Sequence, residues 1–248
     1  VTLRSLHLNL LAILALPVLS QLTRLETLEI SVSSEGPSTL RTDVVSQLPG
    51  SLTTFSARVI MDCNCLAVPP KGLRILSVYI GEENVRASQL VQLPTTLTRL
   101  ILDTTILETE TRGLSHLTNL VTLSCSMKLS DDSSQPADFL AFLSPMAQLL
   151  TFDITLLPYT VQANFVECLP RSLTSFFVDT DGPCELRNED MALLPPSVTF
   201  ARFPFSPHLK NDSYQYLPPK LLFLEPRGDK RLPTWLPRDA SYPDHFAL

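Results

Sequence analysis

The sequence predicts an α/β solenoid: about ten short parallel strands on the concave side, with short helical or irregular turns on the convex side. Three observations predict it. One apolar phrase recurs down the chain, its copies stand at a nearly constant period, and its interior alternates with a strand's period of two.

The phrase is L-P-x-S-L-T-x-L. It occurs at residues 48–55 (LPGSLTTF), 93–100 (LPTTLTRL) and 169–176 (LPRSLTSF), with looser copies at 194–201 (LPPSVTFA) and 217–224 (LPPKLLFL). A shorter sister phrase lacks the proline and contains Leu22, Leu25, Leu117 and Leu120. Anchored on the first apolar residue of each L-x-x-L-x-L, ten copies begin at Leu3, Leu25, Leu52, Leu73, Leu97, Leu120, Leu149, Leu173, Val198 and Leu221. The spacings run from 21 to 29 residues.

Each copy contributes a strand. In residues 97–102 (LTRLIL), Leu100, Ile101 and Leu102 alternate in, out, in, and Leu97 closes the preceding corner. A single short strand cannot hide its apolar face, so the copies must stack side by side. At about 4.8 Å between strands, ten copies form an arc on the order of 45 Å long.

The chain returns on the outer side. Residues 43–48 (DVVSQL), 84–93 (NVRASQLVQL) and 188–194 (NEDMALL) open with Asp or Asn and space apolar residues three or four apart, which predicts a capped helical turn or two. Proline then stops the turn ahead of the next strand. Residues 8–17 have the apolar look of a leader peptide. They are read as part of the first repeat, because Leu3, Leu6 and Leu8 fit the phrase.

These repeats resemble the leucine-rich-repeat proteins, whose pattern L-x-x-L-x-L-x-x-N/C they match over about residues 1–226. The resemblance implies a horseshoe of short strands. The final Asn or Cys is missing: the matching positions are Leu11, Ser33, Ile60, Gly81, Thr105, Lys128, Leu157, Asp181 and Ser206. The corners after the strands are therefore expected to rely on Ser, Thr and backbone groups. The L-P-x-S-L-T phrase resembles divergent repeats of protist proteins and bacterial effector ligases. Residues 227–248 carry the only tryptophan and are expected to form a C-terminal cap or tail. The chain begins inside a repeat, so it reads as part of a longer chain.

Composition narrows the function. The net charge is −6, and Lys and Arg form no run, which disfavours a phosphate-tracking surface and so a nucleic-acid partner. No apolar stretch reaches the 18 or more residues of a membrane span, so no membrane insertion is expected. The five cysteines are irregularly spaced and the four histidines isolated, which predicts neither a disulfide framework nor a metal site. Free structural thiols favour a reducing, cytoplasmic compartment over an extracellular one. The seven glycines make no phosphate loop, and no G-x-S-x-G or H-E-x-x-H motif is present. No catalytic residue, cofactor or metal is expected. The acidic residues Asp131 and Asp132 read as a solvated loop, and Asn211 begins a glycosylation sequon.

Function then falls to a surface. The resemblance implies that outward strand residues line the concave face. The candidate partner-binding residues there are Glu29, Arg58, Tyr79, Arg99, Ile101, Asp103, Asp153, Phe177, Asp179 and Arg202. Tyr79, Ile101 and Phe177 are expected as exposed anchors, since aromatic and arginine side chains concentrate binding energy. The implied function is a non-catalytic scaffold for a protein or peptide partner. Alternatives are the recognition domain of a larger enzyme such as a ubiquitin ligase, or an extracellular receptor or adhesion ectodomain.

Overall fold

The computed structural model describes residues 3–10, 19–32, 39–81, 85–129, 135–157, 159–204, 206–209 and 213–227. The acidic loop at Asp131, the sequon at Asn211, most of the leader-like segment and the expected cap after residue 227 lie outside them.

Ten strands stack in chain order into one parallel sheet. They are Ser5–Leu10 (β1), Thr27–Val32 (β2), Thr54–Met61 (β4), Ile75–Ile80 (β5) and Arg99–Leu107 (β6). Thr122–Lys128 (β7), Thr151–Leu157 (β8), Ser175–Thr180 (β9), Phe200–Pro204 (β10) and Phe223–Arg227 (β11) complete it. A two-residue strand, Thr39–Leu40 (β3), pairs only with the end of β4. Every main strand starts two residues after one of the ten anchors read from the sequence.

That offset has a hydrogen-bonding cause. The anchor N–H closes a four-residue turn onto the carbonyl three residues back, as Leu52 does on Pro49, Leu97 on Pro94 and Leu173 on Pro170. The next two N–H groups both donate to one carbonyl of the repeat before. Thr53 and Thr54 share Glu26 O, Thr98 and Arg99 share Arg74 O, and Thr174 and Ser175 share Leu150 O. The proline costs nothing here, because its missing N–H sits at the start of the turn, where only its carbonyl is used.

The serine and threonine of the phrase form the rungs that join these turns. The hydroxyls of Ser51, Thr96, Ser172 and Ser197 donate to the anchor carbonyls of Leu25, Leu73, Leu149 and Leu173 at 2.6–2.7 Å. The hydroxyls of Thr53, Thr98, Thr174 and Thr199 donate to Glu26, Arg74, Leu150 and Thr174 at 3.1–3.2 Å. This ladder stands before the strands, not after them as the missing asparagine led one to expect.

Inward residues make one continuous core. Leu28, Phe55, Leu76, Leu100, Leu123, Phe152 and Phe176 are buried in one row, and Ile30, Ala57, Val78, Leu102, Cys125, Ile154 and Val178 in the next. Phe152 stacks on Phe176 at 6.3 Å, and Phe176 meets Phe203 edge-on at 5.4 Å. Each such side chain covers the edge its neighbour leaves bare, so the rows hold only as a stack.

The return segments are short. The α-helical turns are Thr42–Val45 (α1), Ala87–Leu90 (α2), Pro136–Phe139 (α3) and Ala163–Glu167 (α4), and 3₁₀ turns such as Cys63–Ala67 and Glu108–Leu114 serve other repeats. Of the expected caps, Asp43 lies inside the first turn of α1, Asn188 precedes the 3₁₀ turn Glu189–Leu193 as expected but without a side-chain cap bond, and Asn84 lies outside the described residues. The residues preceding α1, α2 and α4 are Arg41, Arg86 and Gln162, with no side-chain cap. For α2, Gln89 Oε1 accepts the Arg86 N–H at 2.8 Å, and Glu110 of the next repeat accepts the Ala87 N–H. The stacked neighbour can thus supply the acceptor, which the sequence of one repeat does not reveal. Asp62 does cap its 3₁₀ turn, accepting from the Asn64 N–H at 2.8 Å.

Candidate functional site

The strand face opposite the core is built from three outward rows. The middle row runs His7, Glu29, Ser56, Ser77, Ile101, Ser124, Asp153, Phe177, Arg202 and Glu225, each paired in register with the next. A second row, at the strand starts, runs Ser5, Thr27, Thr54, Ile75, Arg99, Thr122, Thr151, Ser175, Phe200 and Phe223. Arg99 belongs here, between Ile75 and Thr122, with its Nε buried and without a hydrogen-bond partner. Of the middle row, Glu29 is exposed and holds His7 Nδ1 at 2.8 Å from its Oε2.

The third row pairs Asn9 with Ser31, Ser31 with Arg58 and Tyr79 with Asp103 as expected, but it breaks register at two places. Ala57 of β4 pairs with Val78, but the next pair is Ile60 with Tyr79, so Arg58 and Val59 are left over as a two-residue bulge. The same happens on β6: Leu102 pairs with Cys125, then Thr105 with Ser126, leaving Asp103 and Thr104 unmatched on that side. The expected neighbours Arg58 and Tyr79 are therefore out of register. Buried Thr104 has no hydrogen-bond partner for its hydroxyl. Further along, Ser126, Thr155 and Asp179 resume the row, and Asp179 Oδ1 accepts from the Thr180 N–H at 3.2 Å.

The two bulges flank β5 and shape the face. Between them lies an open hollow of about 530 Å³ lined by Arg58, Ser77, Tyr79, Ile101 and Asp103, together with Ala57 and Val78. Four of the candidate residues thus meet in one place. Tyr79 is 41% exposed and its register partner Ile60 is 37% exposed, whereas Ile101 is only half-exposed. Ile60 escaped the sequence reading, which placed it in the corner after the strand. The signal was there: Ala57, Val59 and Met61 keep alternating inward, so β4 runs past the six-residue phrase. Arg58 also borders a smaller hollow of about 220 Å³ beside Glu29, His7 and Ser31.

The other half of the face is closed on itself. Phe177 lies on the middle row as expected, but it is only 6% exposed. Phe200 covers it with ring centroids 5.0 Å apart, and the Arg202 guanidinium sits 5.4 Å from its ring centre. Beside it, Asp153 accepts from Ser124 Oγ at 3.4 Å and feels the charge of Arg202. Burial nevertheless dominates and holds the Asp153 carboxyl above the usual carboxylate range. The expected aromatic anchor here is a packed wall, because a side chain on the next strand lies over it.

No group of three His, Cys, Asp or Glu side chains suited to a metal occurs among the described residues. The five cysteines are free thiols. Cys125 is on the inward row as expected, and burial pushes its thiol up to about 12. No helix among the described residues is long and apolar enough to cross a membrane.

No family model matches the sequence, and no curated protein matches it. Solved structures do match the fold. An internalin (InlF) from Listeria monocytogenes superposes with a TM-score of 0.60 at 18% identity, over 87% of this chain and 58% of the internalin. CroV588, a circular leucine-rich-repeat protein, superposes with a TM-score of 0.51 at 18% identity, over 83% of this chain and 30% of its own. The chain thus spans about three fifths and under one third of these two molecules. The register-locked parallel strands, the 21- to 29-residue period and these superpositions together make this chain a leucine-rich-repeat solenoid.

Proposed function

We propose that the chain is a protein-recognition scaffold that holds a partner polypeptide against the concave strand face. One observation carries this reading: beside a middle row of outward residues that keeps its register along the sheet, the next row breaks at β4, and an open hollow lies there with Tyr79 exposed in it. Exposed aromatic and aliphatic groups rimmed by polar ones are the usual anchors of a protein interface. A nucleic-acid partner fits less well, because the face mixes Glu29, Asp103, Asp153 and Asp179 with Arg58 and Arg202 and offers no basic stripe.

Affinity capture from an extract of the source cells tests it, comparing the wild type with Tyr79→Ala/Asp103→Arg and with the outer-turn control Val91→Ser. Both variants alter exposed side chains, so circular dichroism is expected to report an unchanged fold. Proteins retained by wild type and control but lost from the concave variant support the reading. Equal retention by all three contradicts it.

A further inference from the structure

The outward charges divide into those already answered within the chain and those left open. Glu29 Oε2 lies 2.8 Å from His7 Nδ1, within hydrogen-bond reach, and Asp153 and Arg202 face each other across Phe177. Arg4 pairs with Glu26 and Arg41 with Asp43, whereas neither Arg58 nor Asp103 enters an ion pair with another described residue. Both are exposed, each is left unmatched by a bulge on one side of its strand while paired on the other, and both line the same hollow. Exposed Tyr79 lies on the strand between them.

From this geometry we infer that the hollow around Tyr79 receives an extended polypeptide segment carrying one acidic and one basic side chain with an apolar residue between them. The acidic group meets Arg58, the apolar one lies on Tyr79 and Ile101, and the basic group meets Asp103. β4 and β6 are two strand spacings apart, about 10 Å, which an extended chain covers in about three residues. A singly charged segment would leave one of the two posts facing a desolvated, unpaired site, so the pair of charges specifies a mixed-charge ligand. The inference rests on the reading that the strand face binds protein.

Panning a phage-displayed library of random twelve-residue peptides on the immobilised chain tests it. The wild type is expected to enrich peptides with an acidic and a basic residue flanking an apolar one. Arg58→Glu is expected to shift the selection to two basic residues, and Asp103→Arg to two acidic ones. A wild-type-selected peptide should bind either variant at least tenfold more weakly. Enrichment without a charge pattern, a pattern unmoved by either substitution, or no enrichment overturns the inference. So does self-association of the chain that Arg58→Glu abolishes, because the occupant is then a second copy. If selected peptides ignore both substitutions but are lost with Ser124→Arg, the strand face still binds protein and only the Tyr79 site fails. If they ignore all three, the concave-face reading fails as well.

Discussion

The hydroxyl of Ser51 donates to the carbonyl of Leu25 at 2.7 Å, one repeat away, and Ser172 makes the same contact to Leu149 at the same distance. These two bonds join the turn before one strand to the turn before the last. They explain why serine or threonine recurs two residues after the proline.

Gly72 stands at this position in its repeat and makes no such bond. A Cβ there would lie 3.9 Å from Leu52 O and 3.6 Å from Gly50 O, ordinary contact distances. Gly72→Ser is expected to add the missing rung and restrict the unfolded chain, stabilising the fold by about 1 kcal/mol. Ser172→Ala should lose about as much. Urea midpoints of both variants check this, and a Gly72→Ser midpoint below wild type would contradict it.

Asp153 titrates in the opposite sense from a paired surface carboxylate. Its folded pKa is raised, so the folded chain holds the proton more tightly than the unfolded chain does. Its contribution to stability is complete below the unfolded value, about 3.9, and is lost as pH rises through the folded value. Asp153→Asn is expected to remove this decline, flattening the melting temperature against pH just above pH 4 relative to wild type. An unchanged profile would show that the carboxyl does not titrate differently on folding.

The thiols should react unequally. Burial pushes Cys65 and Cys125 to about 12 and Cys184 to about 11, and all three are buried, whereas Cys168 is half-exposed. Because the thiolate is the nucleophile, native labelling with iodoacetamide at neutral pH is expected to reach Cys168 first and leave Cys125 unmodified. Peptide mass mapping reads the order. Early labelling of Cys125 would place its strand face wrongly.

Much of this fold was legible because the informative features are local and repeated. Leu97 and Leu173 mark their strands two residues ahead, since the turn closing on Pro94 or Pro170 takes a fixed length of chain. The middle row from His7 to Glu225 followed from the same offset. What escaped depends on two strands at once. The bulges at Arg58 and Asp103 exist only relative to β5 and β7, so neither strand announces them alone. Phe177 looked exposed because the outward position was read one strand at a time, while Phe200 covers it from the next. The cap of α2 came from Glu110, again a neighbour.

The central claim is that partners meet the strand face and not the outer turns. A photo-crosslinking amino acid placed at Ser77 or Ser124, and in separate copies at Val91 or Arg171, tests it most directly in an extract of the source cells. The account expects discrete protein adducts from the two strand positions and none from the two outer ones. Adducts from Val91 or Arg171 alone would contradict it.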